Sequence, residues 1–287
     1  MMDSKTIVDD YWSNHTVRAQ YFKSQVEADK HGEWRLNYYP FYKELMVLDE
    51  PHKNEVVLDY GCGPGNDLIH FMKTCPSKII GMDVSEKALE LAKHHVSLYT
   101  NNTVPIEFIK TTDSSDTIPL DNNSVDYIIC SGVLHHTSNP EGILREFFRI
   151  LKKGHYIRIM VYNRDSIFFH VYVAYQRRGG FIGNDIDEVF KGSTDGANCP
   201  ISKAYRPHEF TEICNDAGFE TEFMGGYLSV LDSADYFNSL KRKALTESRL
   251  NDEHKEFVQS VEINNEGHPT YNGLYCGIGG VYKLYKG

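Results

Sequence analysis

The sequence predicts a doubly wound α/β fold on a mostly parallel sheet, with a helical cap before it and a lid inserted within it. Two observations carry this reading. From Glu55 onward, short apolar runs alternate with amphipathic stretches of helical period, which is how successive βαβ units read. The first of these runs, EVVLDY, leads at once into Gly61, Gly63 and Gly65 ahead of a helical stretch, as a strand-to-helix turn beside a ligand would. A chain of 287 residues with 41% hydrophobic and 24% charged residues is long enough for one large core and too apolar for disorder.

Residues 1–50 come first, with Tyr11, Trp12, Tyr21, Phe22, Trp34, Tyr38, Tyr39, Phe41 and Tyr42 recurring at roughly helical intervals. They predict a helical cap, set off from a domain over 51–287. Strands are expected at 55–60, 78–84, 106–112, 125–132 and 155–162, with helices at 66–74, 86–99 and 139–152 between them. Pro140 opens the last helix and Gly154 follows its end. Over 164–204 the alternation fails among glycines and aromatics, which predicts the inserted lid. A helix at 207–217, a strand at 219–227, a helical insertion at 232–262 and a terminal strand in LYCGIGGVYKLYK complete the order, with Gly279 and Gly280 as a bulge or close-approach point.

The net charge of −10 disfavours a nucleic-acid surface, which draws most of its affinity from Lys and Arg. A small-molecule substrate is favoured instead. No apolar run approaches the roughly 18 residues of a membrane-spanning helix, and MMDSKTIVDDYW lacks the regions of a secretion signal, so a cytoplasmic protein without membrane contact is expected, as monomer or homodimer. Cys62, Cys75, Cys130, Cys199, Cys214 and Cys276 show no Cys-x-x-Cys pair or His partner at metal spacing. Neither a disulfide nor a metal is expected.

A three-glycine loop is common to several nucleotide sites, so its surroundings decide. Dinucleotide enzymes place the third glycine one residue later, where Asn66 stands, and Asp59 would meet a pyrophosphate with negative charge. A carboxylate suits an ammonium group, which points to the amino-acid end of S-adenosylmethionine. Asp83, 22 residues after Gly61, can accept both hydroxyls of a ribose, or Asp83 and Ser85 merely cap the next helix. Asp113 ends the third strand where an acceptor meets an adenine amino group, with Asp116 as a second candidate.

The series LDYGCGPG, GMDVSEKALELA and TTDSSDTIPLDNNSVDYIICSGVLHHTSNPEGILREFFRILKKGHYIRI, within residues 54–161, resembles the class I S-adenosylmethionine-dependent methyltransferases in order, spacing and residue type. The resemblance implies a Rossmann-like, seven-stranded sheet whose last strand is antiparallel, S-adenosylmethionine as cofactor and S-adenosylhomocysteine as product. It implies that Asp59, Gly61, Cys62, Gly63 and Gly65 hold the methionine moiety and that Ser131 and Gly132 border its tail. Asp83 and Val84 would serve the ribose and adenine, Asp113 and Ser114 the adenine edge. Asp113 stands one residue further from Ile118-Pro119 than the family's Asp does, and Lys153-Gly154-His155 replaces Pro-Gly-Gly.

Methyl transfer from a sulfonium needs alignment and exclusion of water, and a base only where the acceptor carries a proton to lose. His135 and His136 follow the fourth strand at the ligand edge of the sheet, and adjacent side chains diverge, so one at most faces an acceptor. Either is equally a loop histidine bonded to backbone. Tyr162 ends the fifth strand at the same edge. Arg177 and Arg178, before Gly179-Gly180, either bind an anionic group of the substrate or end a solvated helix. A protein or RNA methyltransferase and a non-catalytic cofactor-binding protein are the rival readings.

Overall fold

The computed structural model describes residues 4–287 apart from residues 18, 114, 116 and 197. Its strands are β1 (Val56–Tyr60), β2 (Lys78–Asp83), β3 (Ile106–Lys110), β4 (Val125–Ser131), β5 (Leu151–Asn163), β6 (Ala204–Tyr205), β7 (Glu220–Tyr227), β8 (Glu262–Ile263), β9 (Pro269–Tyr271), β10 (Leu274–Tyr275) and β11 (Gly279–Tyr285). The main sheet runs β3-β2-β1-β4-β5-β11-β7, parallel from β3 to β5, with β11 antiparallel to both of its neighbours. Beyond Met160, where pairing with β4 stops, the short β6 pairs with Tyr162 and Asn163 and adds an eighth strand.

The helices are α1 (Ser4–Asn14), α2 (Gln25–Tyr38), α3 (Tyr42–Leu45), α4 (Leu68–Met72), α5 (Glu86–Ser97), α6 (Pro140–Ile150), α7 (Ile186–Thr194), α8 (Pro207–Asp216), α9 (Ala234–Thr246) and α10 (Asp252–Ser260), with a π-helix at Phe168–Gln176. The crossover helices α5 and α6 are each built from a cap and a stripe. In α6 the Asn139 side chain accepts the Gly142 N–H, Pro140 needs no donor partner, and Ile143, Leu144, Phe147 and Ile150 are buried on one side. Successive strand residues serve opposite cores: Leu58, Ile80 and Ile128 pack with Phe147 on one face, Val57, Ile79 and Ile129 with Phe71 on the other. Such two-sided burial makes parallel strands read as unbroken apolar runs.

Three details differ from the sequence expectation. The last helix before β5 stops at Ile150, and Gly154, with φ of 78°, lies inside β5 rather than in a connecting turn. Leu151 already pairs with Val125, and the Gly154 N–H donates to the Lys286 carbonyl, so backbone pairing overrides helix propensity there. The segment 232–262 is two helices broken between Thr246 and Asp252, and β8, β9 and β10 form a separate antiparallel sheet. Within 164–204, the π-helix buries Phe168, Phe169, Val171, Val173 and Ala174.

Candidate active site

The carboxyl ends of β1, β2, β4 and β5 open into a cleft of about 500 Å³, walled on the far side by α1 and the end of α7. This is the edge at which parallel α/β sheets take their ligands. Gly61, Gly63 and Gly65 have φ of 78°, 53° and 81°, which an L side chain rarely adopts. At Gly61 a Cβ would also stand 2.1 Å from Val133 Cγ2. The resulting loop brings Cys62 and Gly63 into the cleft wall, along with Val84, Ser131 and Gly132.

Asp83 lines the cleft and accepts the Gly63 N–H at one carboxylate oxygen and the Ser85 N–H at the other, both at 2.8 Å. Each oxygen retains a lone pair for a hydroxyl. Ser85, as the alternative reading had it, does cap α5 through the Ala88 N–H. Asp59 is 3% exposed, and its Oδ2 has no hydrogen-bond partner. Burial, then the nearby Asp67 carboxylate, pushes it well above the usual carboxylate range. Asp59 and Gly65 lie behind the wall rather than in it.

Asp113 reaches the cleft, but its carboxylate accepts the Ser138 hydroxyl at 2.5 Å and the Ser138 N–H at 3.2 and 3.3 Å. Its own N–H donates to Asp9 on α1 at 2.7 Å. Ser114 and Asp116 lie outside the described residues.

A buried polar group from outside the glycine loop joins this half. Arg35 on α2 forms a two-pronged pair with Asp67, at 2.5 and 3.2 Å, and its guanidinium lies 4.4 Å from the Tyr42 ring centroid. The Tyr42 hydroxyl donates to Asp67 at 2.5 Å and stands 3.1 Å from Ser131 Oγ. Burial disfavours the Asp67 charge, yet the Arg35 guanidinium outweighs it and holds the carboxyl below its ordinary range. Neither Asp67 nor Arg35 was singled out from the sequence: Asp67 stands two residues past Gly65, but nothing local marks a partner 32 residues away.

At the other end His136 lines the cleft and His135 does not. The His136 Nδ1 lies 2.7 Å from the Ile201 carbonyl, so it carries the proton, and Nε2, with its lone pair, is 3.6 Å from Asp195 Oδ1. Asp195 accepts the Tyr162 hydroxyl at 3.1 Å and the Ser202 hydroxyl at 2.8 Å, while its carbonyl accepts the Tyr11 hydroxyl at 2.5 Å. Burial lowers the His136 pKa, and Asp195 and the Ile201 carbonyl work against that shift. His135 packs its ring 3.9 Å from that of Tyr162, and its Nδ1 accepts the Tyr162 N–H at 3.3 Å. Burial pushes it well below the normal histidine range, so it stays neutral.

Arg177 and Arg178 are not brought to this cleft. They line a separate depression with Lys243 and Arg249, because the chain turns outward at Arg178, whose φ is 65°.

Strand order, the antiparallel β11 and a glycine loop at the end of β1 define the class I methyltransferase architecture. The methyltransferase-domain family matches residues 34–222, well over half of the chain. The chain is 27% identical over 177 residues to the ubiquinone biosynthesis O-methyltransferase of Thiobacillus denitrificans, covering 61% of this chain and 69% of that protein. It is 28% identical over 119 residues to the tRNA U34 carboxymethyltransferase of Aliarcobacter butzleri, covering 41% of this chain and 36% of that one. Geranyl diphosphate C-methyltransferase from Streptomyces coelicolor A3(2), solved with Mg2+, geranyl diphosphate and S-adenosyl-L-homocysteine, shares the fold, with a TM-score of 0.57 at 12% identity over 99% of this chain and 97% of that one. The chain belongs to the methyltransferase-domain family and is an S-adenosylmethionine-dependent methyltransferase. No helix among the described residues is long and apolar enough to cross a membrane.

Proposed function

We propose that this methyltransferase acts on a small-molecule acceptor held between aromatic side chains and the His136–Asp195 pair. The observation that carries this reading is the cleft itself, which holds polar groups at Arg35, Asp67 and Asp83 for the cofactor and sets Trp12, Tyr162, Phe168 and Tyr172 together with His136 and Asp195 in the rest of its wall. Such a chamber suits a compact, largely apolar acceptor with one ionisable group. A strand of RNA would need a basic track, and the net charge of −10 disfavours one.

The residues present fit S-adenosylmethionine. Asp83 takes the ribose hydroxyls on its free lone pairs, the glycine loop lets the backbone approach the methionine moiety, and the partnerless Asp59 Oδ2 is an acceptor behind the wall whose ionisation a bound ammonium group would favour. Arg35 and Tyr42 stand where a carboxylate tail would lie beside Ser131. When bound, the cofactor supplies a methyl group on an already activated sulfonium. The chain's own share is then alignment, exclusion of water and activation of the acceptor's ionisable group by His136 and Asp195. Release of S-adenosylhomocysteine against a metabolite library, scored in a coupled assay, tests the reading. Turnover with phenolic, amine or thiol metabolites is expected, and turnover with RNA alone would overturn it.

A further inference from the structure

We propose that His136, Asp195 and Cys199 form a divalent-metal site of zinc type at the polar end of the cleft, an inference that rests on the acceptor assignment above. A ring nitrogen of His136, a carboxylate oxygen of Asp195 and Cys199 Sγ all lie within 4.8 Å of one another. Imidazole, carboxylate and thiolate together are the donor set that zinc prefers over magnesium or calcium. Bonds of about 2.0 to 2.3 Å place the ligand atoms around one zinc roughly 3 to 4 Å apart, and His136 Nε2 stands 3.6 Å from Asp195 Oδ1.

The surroundings of the three ligands point the same way. Nδ1 of His136 is bonded to the Ile201 carbonyl at 2.7 Å, the outer hydrogen bond that fixes a ligating imidazole with Nε2 toward Asp195; Cys199 Sγ lies 4.0 Å from Nδ1 and donates to the same carbonyl at 3.2 Å, a proton it gives up on binding the metal. Asp195 is steadied by the hydroxyls of Tyr162 and Ser202. The ligands come from separate segments: the turn after β4, the end of α7 and the loop beyond it. No sequence spacing announces them, which is why a metal was not expected from the cysteine pattern.

Three protein ligands leave a fourth position, the arrangement of catalytic rather than structural zinc. His136 and Asp195 both line the cleft, so that position opens on the acceptor. A hydroxyl or thiol coordinated there is ionised by the metal and releases its proton to solvent, which makes an imidazole base unnecessary.

The test is metal binding by the full-length chain after stripping with chelator. Zinc should bind at about one equivalent, and cobalt(II) in its place should give a thiolate charge-transfer band. Cys199→Ser should abolish that band, and Asp195→Asn should weaken zinc by at least roughly tenfold, the loss seen even for outer-shell partners. Cys75→Ser, at an exposed cysteine, should change neither. No zinc uptake by the wild type, or a band that survives Cys199→Ser, would overturn the site. The metabolite assay on the same samples separates the two readings: turnover of phenolic, amine or thiol metabolites without zinc uptake overturns the metal site alone, and zinc uptake with no metabolite turned over overturns the acceptor assignment on which it rests.

Discussion

Each oxygen of the Asp83 carboxylate accepts one backbone N–H, from Gly63 and from Ser85, so the side chain is already fixed in place before a ribose arrives. Ordering it therefore adds little to the cost of binding, and its removal should show as a direct loss of contacts. Asp83→Ala is expected to weaken S-adenosylmethionine binding by about 1.5 to 3 kcal/mol, the range for hydrogen bonds to a charged group. Titration calorimetry reads this, and unchanged affinity in a folded variant would remove the ribose assignment. The adjacent histidines divide by the same logic. His136 faces the cleft with Nε2 turned toward Asp195, whereas His135 is packed against Tyr162 in the interior. His136→Ala should lower turnover by roughly 10² to 10⁴ with cofactor affinity nearly intact. His135→Ala should lower the denaturation midpoint and leave the folded fraction active. The reverse pattern, with turnover lost at His135 and stability lost at His136, would exchange their roles.

Among the elements, those that periodicity specifies were legible and those that depend on distant partners were not. The strand-loop-helix run from β1 to β5 could be read directly, because two-sided burial writes itself as apolar runs and the crossovers through α5 and α6 carry their own caps. Asp83 and the glycine loop were legible for the same reason. Arg35 beside Asp67, and Asp195 and Cys199 beside His136, were hidden because tertiary contact leaves no mark on local pattern. The small β8–β10 sheet was hidden too, with strands of two or three residues. Two expectations belong to this scale. Gly61→Ala meets both a positive φ and the Val133 side chain, and should destabilise the protein by more than about 1 kcal/mol. Chemical denaturation reads that loss, and a neutral effect would mean the loop is not held as seen. The cap and lid should also respond unequally to cofactor. α1 is tied to the site by the Asp9–Asp113 and Tyr11–Asp195 bonds, while the π-helix buries Phe168, Phe169, His170, Val171, Val173 and Ala174. Hydrogen exchange should slow at α1 and at 190–202 when S-adenosylhomocysteine binds and change little over 168–176; equal protection in both states would make α1 fixed scaffold.

On the scale of the whole molecule, the fold is held on one side by histidines that must stay neutral. His170 and His254 join the π-helix to α10 through Nδ1 atoms 2.9 Å apart, so one ring donates and the other accepts, and both cannot be protonated together. Burial lowers the pKa of each, and for His170 the neighbouring His254 adds to the shift; Arg164 and Arg206 push both the same way, and only Glu253 opposes them at His254. In the unfolded chain each would titrate near 6.5. The stability they contribute is therefore present above about pH 6.5 and is lost as pH falls toward their folded values, since only the unfolded chain takes up the protons. Buried Asp232, pushed up to about 6 by burial despite its bonds from Ser229, Phe168 and Ile278, acts in the opposite sense over part of that range. A raw stability profile mixes the two, and a difference between proteins separates them. The double variant His170→Gln, His254→Gln keeps amide donors and acceptors but cannot titrate. Measured by urea denaturation from about pH 7 to about 5.5, the wild type should lose stability more steeply than the variant, by up to about 1.4 kcal/mol per pH unit for each histidine. Parallel profiles would mean that the pair is protonated, or opened to water, in the folded state and that the joint between π-helix and α10 does not depend on neutral imidazoles.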